Sequence, residues 1–200
     1  MIERVAIEGW ASLGTIPLPV GDQDSVPQSL LVDSERDLVW LATWQCEGSC
    51  LSAFRPDGSL AFSVNVPTTG IGGIGRMVLA SGRLIISSNG TDDMILVVDP
   101  VARETVLTCR LTEESNSLPS VLTDGTQIYV LPDSGPIFAT DDLFGTAGAI
   151  QPTWTGQVWD AAYSLPRHSL LLTGSEVGLV EIPLCSDPST PASAVWTCEP

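Results

Sequence analysis

The sequence predicts an all-β fold built from repeated four-stranded meanders, and three observations carry that reading. Apolar runs recur with one internal order about every 42 to 48 residues, a period that marks repeat architectures. The runs are punctuated by Pro56-Asp57-Gly58, Ser81-Gly82, Asn89-Gly90 and Asp124-Gly125, whose backbone preferences reverse the chain. The 18 Gly and 15 Pro are spread throughout, and no window of about a dozen residues holds a clean 3.6-residue apolar period. Meanders of this size repeated radially make a β-propeller, here of about four to five four-stranded blades in a closed, partial or open ring.

In chain order, residues 4–10 (RVAIEGW) and 13–19 (LGTIPLP) match the third and fourth strands of a unit, so 1–19 reads as a half blade. First strands then open at Ser29, Met77, Val121 and Ala161. Second strands follow at 38–44 (LVWLATW), 83–89 (RLIISSN), 127–133 (QIYVLPD) and 169–175 (SLLLTGS). Third strands begin at Cys50, Met94, Gly135 and Gly178, and fourth strands at Leu60, Glu104, Ala149 and Ala194. Complete blades therefore cover 29–66, 76–110, 120–154 and 160–200 within a single domain, 1–200. In 38–44 both faces are apolar, Leu38, Trp40, Ala42 and Trp44 on one side and Val39, Leu41 and Thr43 on the other, as expected of a strand covered on both sides. A propeller closes to remove sheet edges, yet no first and second strands precede the half blade. An abbreviated blade, a longer parent chain and completion of the ring by another protomer all remain open.

The stretch 5–44, with its Thr15-Ile16-Pro17 followed by Gly21 and an apolar strand, resembles YVTN-type and related NHL or quinoprotein-like propellers. Residues 160–184 look like a WD40 blade. The resemblance runs over nearly the whole chain at the level of the repeat and leaves the subfamily open. It implies a propeller scaffold, and it brings with it the chemistry of propeller lactonases, which gather carboxylates around a central channel.

With 44% hydrophobic and 16% charged residues the composition is that of a globular domain, not a disordered chain. No apolar run of 18 residues is present to span a membrane, and no basic segment followed by an apolar one opens the chain, so a soluble protein without membrane insertion is expected. The charge is unusual. Twenty-four acids face eight bases, all arginine, for a formal net charge of −16, which repels phosphate backbones and excludes nucleic acid as a partner.

The repeat places these charges. Connections from second to third strand, and from a fourth strand to the next first strand, share one face, and they hold Glu47, Asp92, Asp93, Asp133 and Glu176, with Asp160 at the entry to a first strand and Arg76 as the main base. Such a face suits a basic protein partner, self-association or a cation such as calcium. Trp159 stands beside it as a recognition anchor or as a plug between blades. Of five cysteines, Cys46 with Cys50 and Cys185 with Cys198 are candidate disulfides, leaving Cys109 over. Oxidised pairs would imply an extracytoplasmic compartment, and free thiols a cytoplasmic one.

Other chemistries fare worse. Residues 70–75 satisfy G-x-G-x-x-G, but a dinucleotide loop must open a helix and 76–80 reads as a strand. Without lysine there is no Walker A lysine and no Schiff base. The single histidine, His168, sits in a turn on the face opposite Ser175, against a Ser-His-Asp triad. The sequence thus favours a noncatalytic binding or scaffold module acting through its acidic face. A metal-dependent lactonase or hydrolase and a subunit completed by edge-strand pairing are the alternatives.

Overall fold

The computed structural model describes residues 2–5, 12–16, 26–44, 51–66, 74–88, 94–111, 120–131, 137–141, 144, 147–150, 158–174, 178–184 and 196–199. These are all-β apart from a single 3-10 turn, Leu165–Arg167, and among them no helix is long and apolar enough to cross a membrane. Strands β1 (Ile2–Val5) and β2 (Ser12–Ile16) pair antiparallel as an isolated hairpin, where the half blade was expected.

Four antiparallel meanders follow, each taking consecutive strands in order. Sheet one contains β3 (Val26–Asp33), β4 (Leu38–Trp44), β5 (Leu51–Phe54) and β6 (Leu60–Val64). Sheet two contains β7 (Ile74–Ala80), β8 (Arg83–Ser88), β9 (Met94–Asp99) and β10 (Glu104–Leu111). Sheet three contains β11 (Ser120–Thr123), β12 (Ile128–Leu131), β13 (Ile137–Thr140) and β14 (Ala147–Ile150). Sheet four contains β15 (Val158–Ser164), β16 (Ser169–Gly174) and β17 (Gly178–Pro183). Turn chemistry sets the reversals: Ser81 and Gly82 both adopt positive φ, 50° and 76°, the two-residue geometry that follows the twist of the strands they join.

The sheets stack through their first strands, β3 against β7, β7 against β11 and β11 against β15. Period-two alternation then divides each inner sheet between two cores. Leu84, Ile86, Met94, Leu96 and Val98 of sheet two meet Trp40, Leu51 and Val64 of sheet one. Ile85, Ile95 and Val97, on the other side of sheet two, meet Val121, Ile128, Val130 and Phe138 of sheet three. Tyr129, Leu131 and Ile137 in turn face Ala161, Leu170, Leu172 and Ile182 of sheet four. On sheet one Leu41 is buried and Val39 half-buried, whereas Leu30 and Val32 of β3 are exposed.

The C-terminal strand departs from the expected order. β18 (Trp196–Glu199) is not the fourth strand of the last unit; it pairs antiparallel with β10 and makes sheet two five-stranded. The connection that precedes it, 184–195, exceeds the corresponding 55–59, 100–103 and 141–146, so the chain need not close a tight hairpin here.

Candidate functional site at the inner strand ends

The first strands begin at one common end: Arg76, near the start of β7, reaches Ser120 at the start of β11 and Asp160 near the start of β15, and the turns that follow β3 and β7 meet at the other end through Arg36 and the Gly82 carbonyl. Three of them carry a register shift close to that start, between Pro27 and Ser29, Ile74 and Met77, and Val158 and Asp160. Such bulges take a residue out of the ladder and re-aim its side chain. In β7 the displaced residue is Arg76, whose amide donates to Ser87 Oγ (2.9 Å) instead of to a ladder carbonyl. Its guanidinium crosses to two further sheets, with Nη2 pairing with Asp160 Oδ1 at 2.6 Å and Nη1 donating to Ser120 Oγ at 3.5 Å and to the carbonyl of Ala161. Arg76 is one-third exposed and Asp160 mostly exposed, so the ion pair itself is worth about 0–1 kcal/mol. What it supplies is position: one planar cation ties sheets two, three and four together.

The strands β4, β8, β12 and β16 end on this same side, and the connections that carry Glu47, Asp92 with Asp93, Asp133 and Glu176 leave from those ends. These five acids lie outside the described residues, as do Cys46, Cys50 and Cys185. Trp159 belongs to β15, next to Asp160; its side chain is likewise outside the description. Arg76 and Asp160, assigned to this face from the repeat, do meet there. Among the described residues no three His, Cys, Asp or Glu side chains group as a metal site.

The cysteine pairing is corrected. Cys198 is bonded not to Cys185 but to Cys109, the residue the sequence left over, with S–S 2.08 Å. The cause is the placement of β18, which sets Cys109 and Cys198 directly opposite each other in the β10–β18 register.

A second polar cluster, at the opposite ends of sheets three and four, escaped the sequence reading. Tyr129 Oη donates to Asp124 Oδ2 at 2.8 Å, the Tyr129 and Tyr163 rings stack at 6.2 Å, and Tyr163 Oη shares a 2.8 Å hydrogen bond with His168 Nδ1. Burial, then the hydrogen bond to Asp124, pushes the Tyr129 phenol far above its usual range; burial, then the charge of Asp124, raises Tyr163. Burial opposes ionisation of Asp124, but the amides of Gln127 and Thr126 and the Tyr129 hydroxyl outweigh it and hold the carboxyl below its ordinary value. Sheets one and two have their own clasp at this end: Arg36 pairs with the fully buried Asp33 at 3.0 Å and donates to the Gly82 carbonyl at 2.9 Å. His168 itself is exposed in the turn, as the sequence suggested. These clusters join partners from different repeats, which a single-strand reading does not pair.

No protein-family model matches the chain, and no curated protein matches it in sequence. Solved structures are similar in fold. The computationally designed Ika4 protein superposes with a TM-score of 0.63 at 11% identity, covering 86% of this chain and 99% of Ika4. Hydrazine synthase of Kuenenia stuttgartiensis gives 0.60 at 13% identity, covering 74% of this chain and 49% of that one. BamB of Moraxella catarrhalis gives 0.50 at 17%, with 86% and 49% covered, so the chain spans about half the length of these two natural proteins. Both are propeller-type folds. At these identities the likeness concerns architecture alone, and this chain has a β-propeller-like scaffold.

Proposed function

We propose that the chain is a noncatalytic interaction module, a propeller scaffold that presents its acidic connections to a positively charged protein partner. The observation that supports this most directly is the Arg76 junction. It consumes the main base of that end within the fold, on Asp160, Ser120 and Ala161, and fixes sheets two, three and four, whose second strands lead into the connections bearing Asp92, Asp93, Asp133 and Glu176. A rigid platform under a field of net charge −16 favours a basic surface and steers it in at low salt.

The test is titration of an oligo-arginine peptide by calorimetry at two salt concentrations, against the full chain and against an Asp92→Asn, Asp93→Asn, Asp133→Asn, Glu176→Gln variant. Specific recognition is expected to weaken at least tenfold in the variant and to fall with salt. Equal binding by both proteins would sink the assignment of that face. A parallel calcium titration separates a cation site from a peptide surface, because heat from calcium alone that vanishes in the variant would replace the protein partner with the ion.

A second reading, completion of a sheet by a strand from a neighbour, is favoured by sheet four. Among the described residues nothing pairs with the outer edge of β17, and Leu179 on that strand is 69% exposed.

A further inference from the structure

We propose that the Cys109–Cys198 disulfide is a redox latch that parks the C-terminal strand on sheet two, and that its reduction hands β18 to the outer edge of β17, which has no partner among the described residues, where it completes sheet four. The occupant of that edge is then a segment of the chain itself.

Four observations converge. First, β18 is a fourth strand by sequence: residues 195–198 read Val-Trp-Thr-Cys, and 106–109 of the fourth strand β10 read Val-Leu-Thr-Cys. Second, β18 is surplus where it sits and missing where it would belong. Sheets one and three end at their fourth strands, sheet two carries a fifth, and sheet four has three among the described residues. Third, the connection allows both positions. Residues 184–195 have a contour length of about 40 Å, which exceeds both the span past sheet three at about 10 Å per packed layer and the span needed to reach the outer edge of β17. Fourth, the apolar alternation fits the edge of β17 that nothing pairs with among the described residues. Val180 and Ile182 of β17 face the core shared with sheet three, and residues 196 and 198 of β18 alternate in the same way.

What holds the strand away from that edge is the covalent bond, which joins residues 89 apart in sequence. Backbone pairing on β10 extends over four residue pairs, 108–111 with 196–199, and a ladder of that size is available at β17 too. The chemistry balances with a dithiol reductant. One of its thiolates attacks Cys198 Sγ, which is half-buried where Cys109 is buried, and Cys109 departs as a thiolate and takes a proton. The second thiol of the reductant then resolves the mixed disulfide, leaving two cysteine thiols and an oxidised reductant.

The experiment is hydrogen–deuterium exchange of the full chain, purified without reductant, before and after dithiothreitol, with a Cys109→Ser, Cys198→Ser variant as the permanently unlatched form and circular dichroism as the check on folding. Peptide mapping of the oxidised protein is expected to show the Cys109–Cys198 link. On reduction, amides of 178–184 are expected to exchange at least tenfold more slowly and those of 108–111 faster, and the variant is expected to match the reduced pattern. A reduced, folded protein whose 178–184 amides stay fast while 108–111 stay protected would overturn the proposal. A Cys185–Cys198 link in the oxidised protein would overturn it too.

Discussion

Trp40 offers a sharp test of how sheets one and two are held together. Its side chain is fully buried, packs edge-on against Phe62 with ring centroids 5.4 Å apart, and has no hydrogen-bond partner for Nε1 among the described residues. Two substitutions separate these properties. Trp40→Ala removes the whole ring from the core it shares with Ile74, Met77 and Leu84, at a cost of about 3–5 kcal/mol. Trp40→Phe removes roughly 40 Å³, worth about 1 kcal/mol as a cavity, and keeps an aromatic partner for Phe62. It also removes a buried donor whose lack of a partner costs about 1–3 kcal/mol. The phenylalanine variant is therefore expected within about 1 kcal/mol of the parent or above it, against the heavy loss in the alanine variant. Urea unfolding followed by far-ultraviolet circular dichroism reads both from the midpoint at constant m-value. If Trp40→Phe loses as much as Trp40→Ala, the indole N–H is paired and the reasoning fails.

Two further outcomes follow from the strand ends. Arg76→Ala is expected to cost about 1–2 kcal/mol, more than Asp160→Ala, because it cuts hydrogen bonds to two sheets besides the ion pair. Arg76→Lys should not rescue it, since a single ammonium cannot span the same acceptors; thermal unfolding of the three variants checks this. The second outcome is acid sensitivity. The Ser169 hydroxyl and then Arg167 lower Glu181, the Ala102 and Val101 amides lower Asp99, and Asp124 is held low as described. Carboxyls with a depressed folded pKa contribute stability above their ordinary pKa and lose it as pH falls through the folded one. The urea midpoint should therefore drop through the acid range, with a shallower drop in Glu181→Gln and Asp124→Asn; an unchanged slope in both would refute these contacts.

The meander was legible because its signals are local. The limits of 38–44 and the start of β9 at Met94 follow from alternation and turn residues, and β4 and β9 occupy those positions. Whatever depends on distant partners was not legible. Nothing in residues 74–77 announces the bulge that turns Arg76 toward Asp160, because the acceptor arrives from a strand two repeats later. Tyr129 and Tyr163 each read as ordinary strand residues until sheets three and four are stacked. The fourth-strand pattern of 194–200 was correctly a strand, but pattern alone does not name the edge a strand joins, and with it the partner of Cys198 was missed.

The division of sheets two and three between two cores carries a consequence for how the molecule comes apart. In a row of units whose stability depends on their neighbours, removing an interior member breaks two interfaces, whereas removing an end member breaks one. Sheet two meets sheet one through Leu84, Ile86 and Leu96 and sheet three through Ile85, Ile95 and Val97, so neighbouring residues on a single strand answer to different partners. Sheet one gives Trp40, Leu51 and Val64 to the first of these cores, and Leu41 and Phe54, which alternate onto its other face, are buried as well. A defect placed in sheet two or sheet three therefore reaches two cores at once, so damage to Ile85 or Ile86 is felt by opposite neighbours although the two residues are adjacent in sequence.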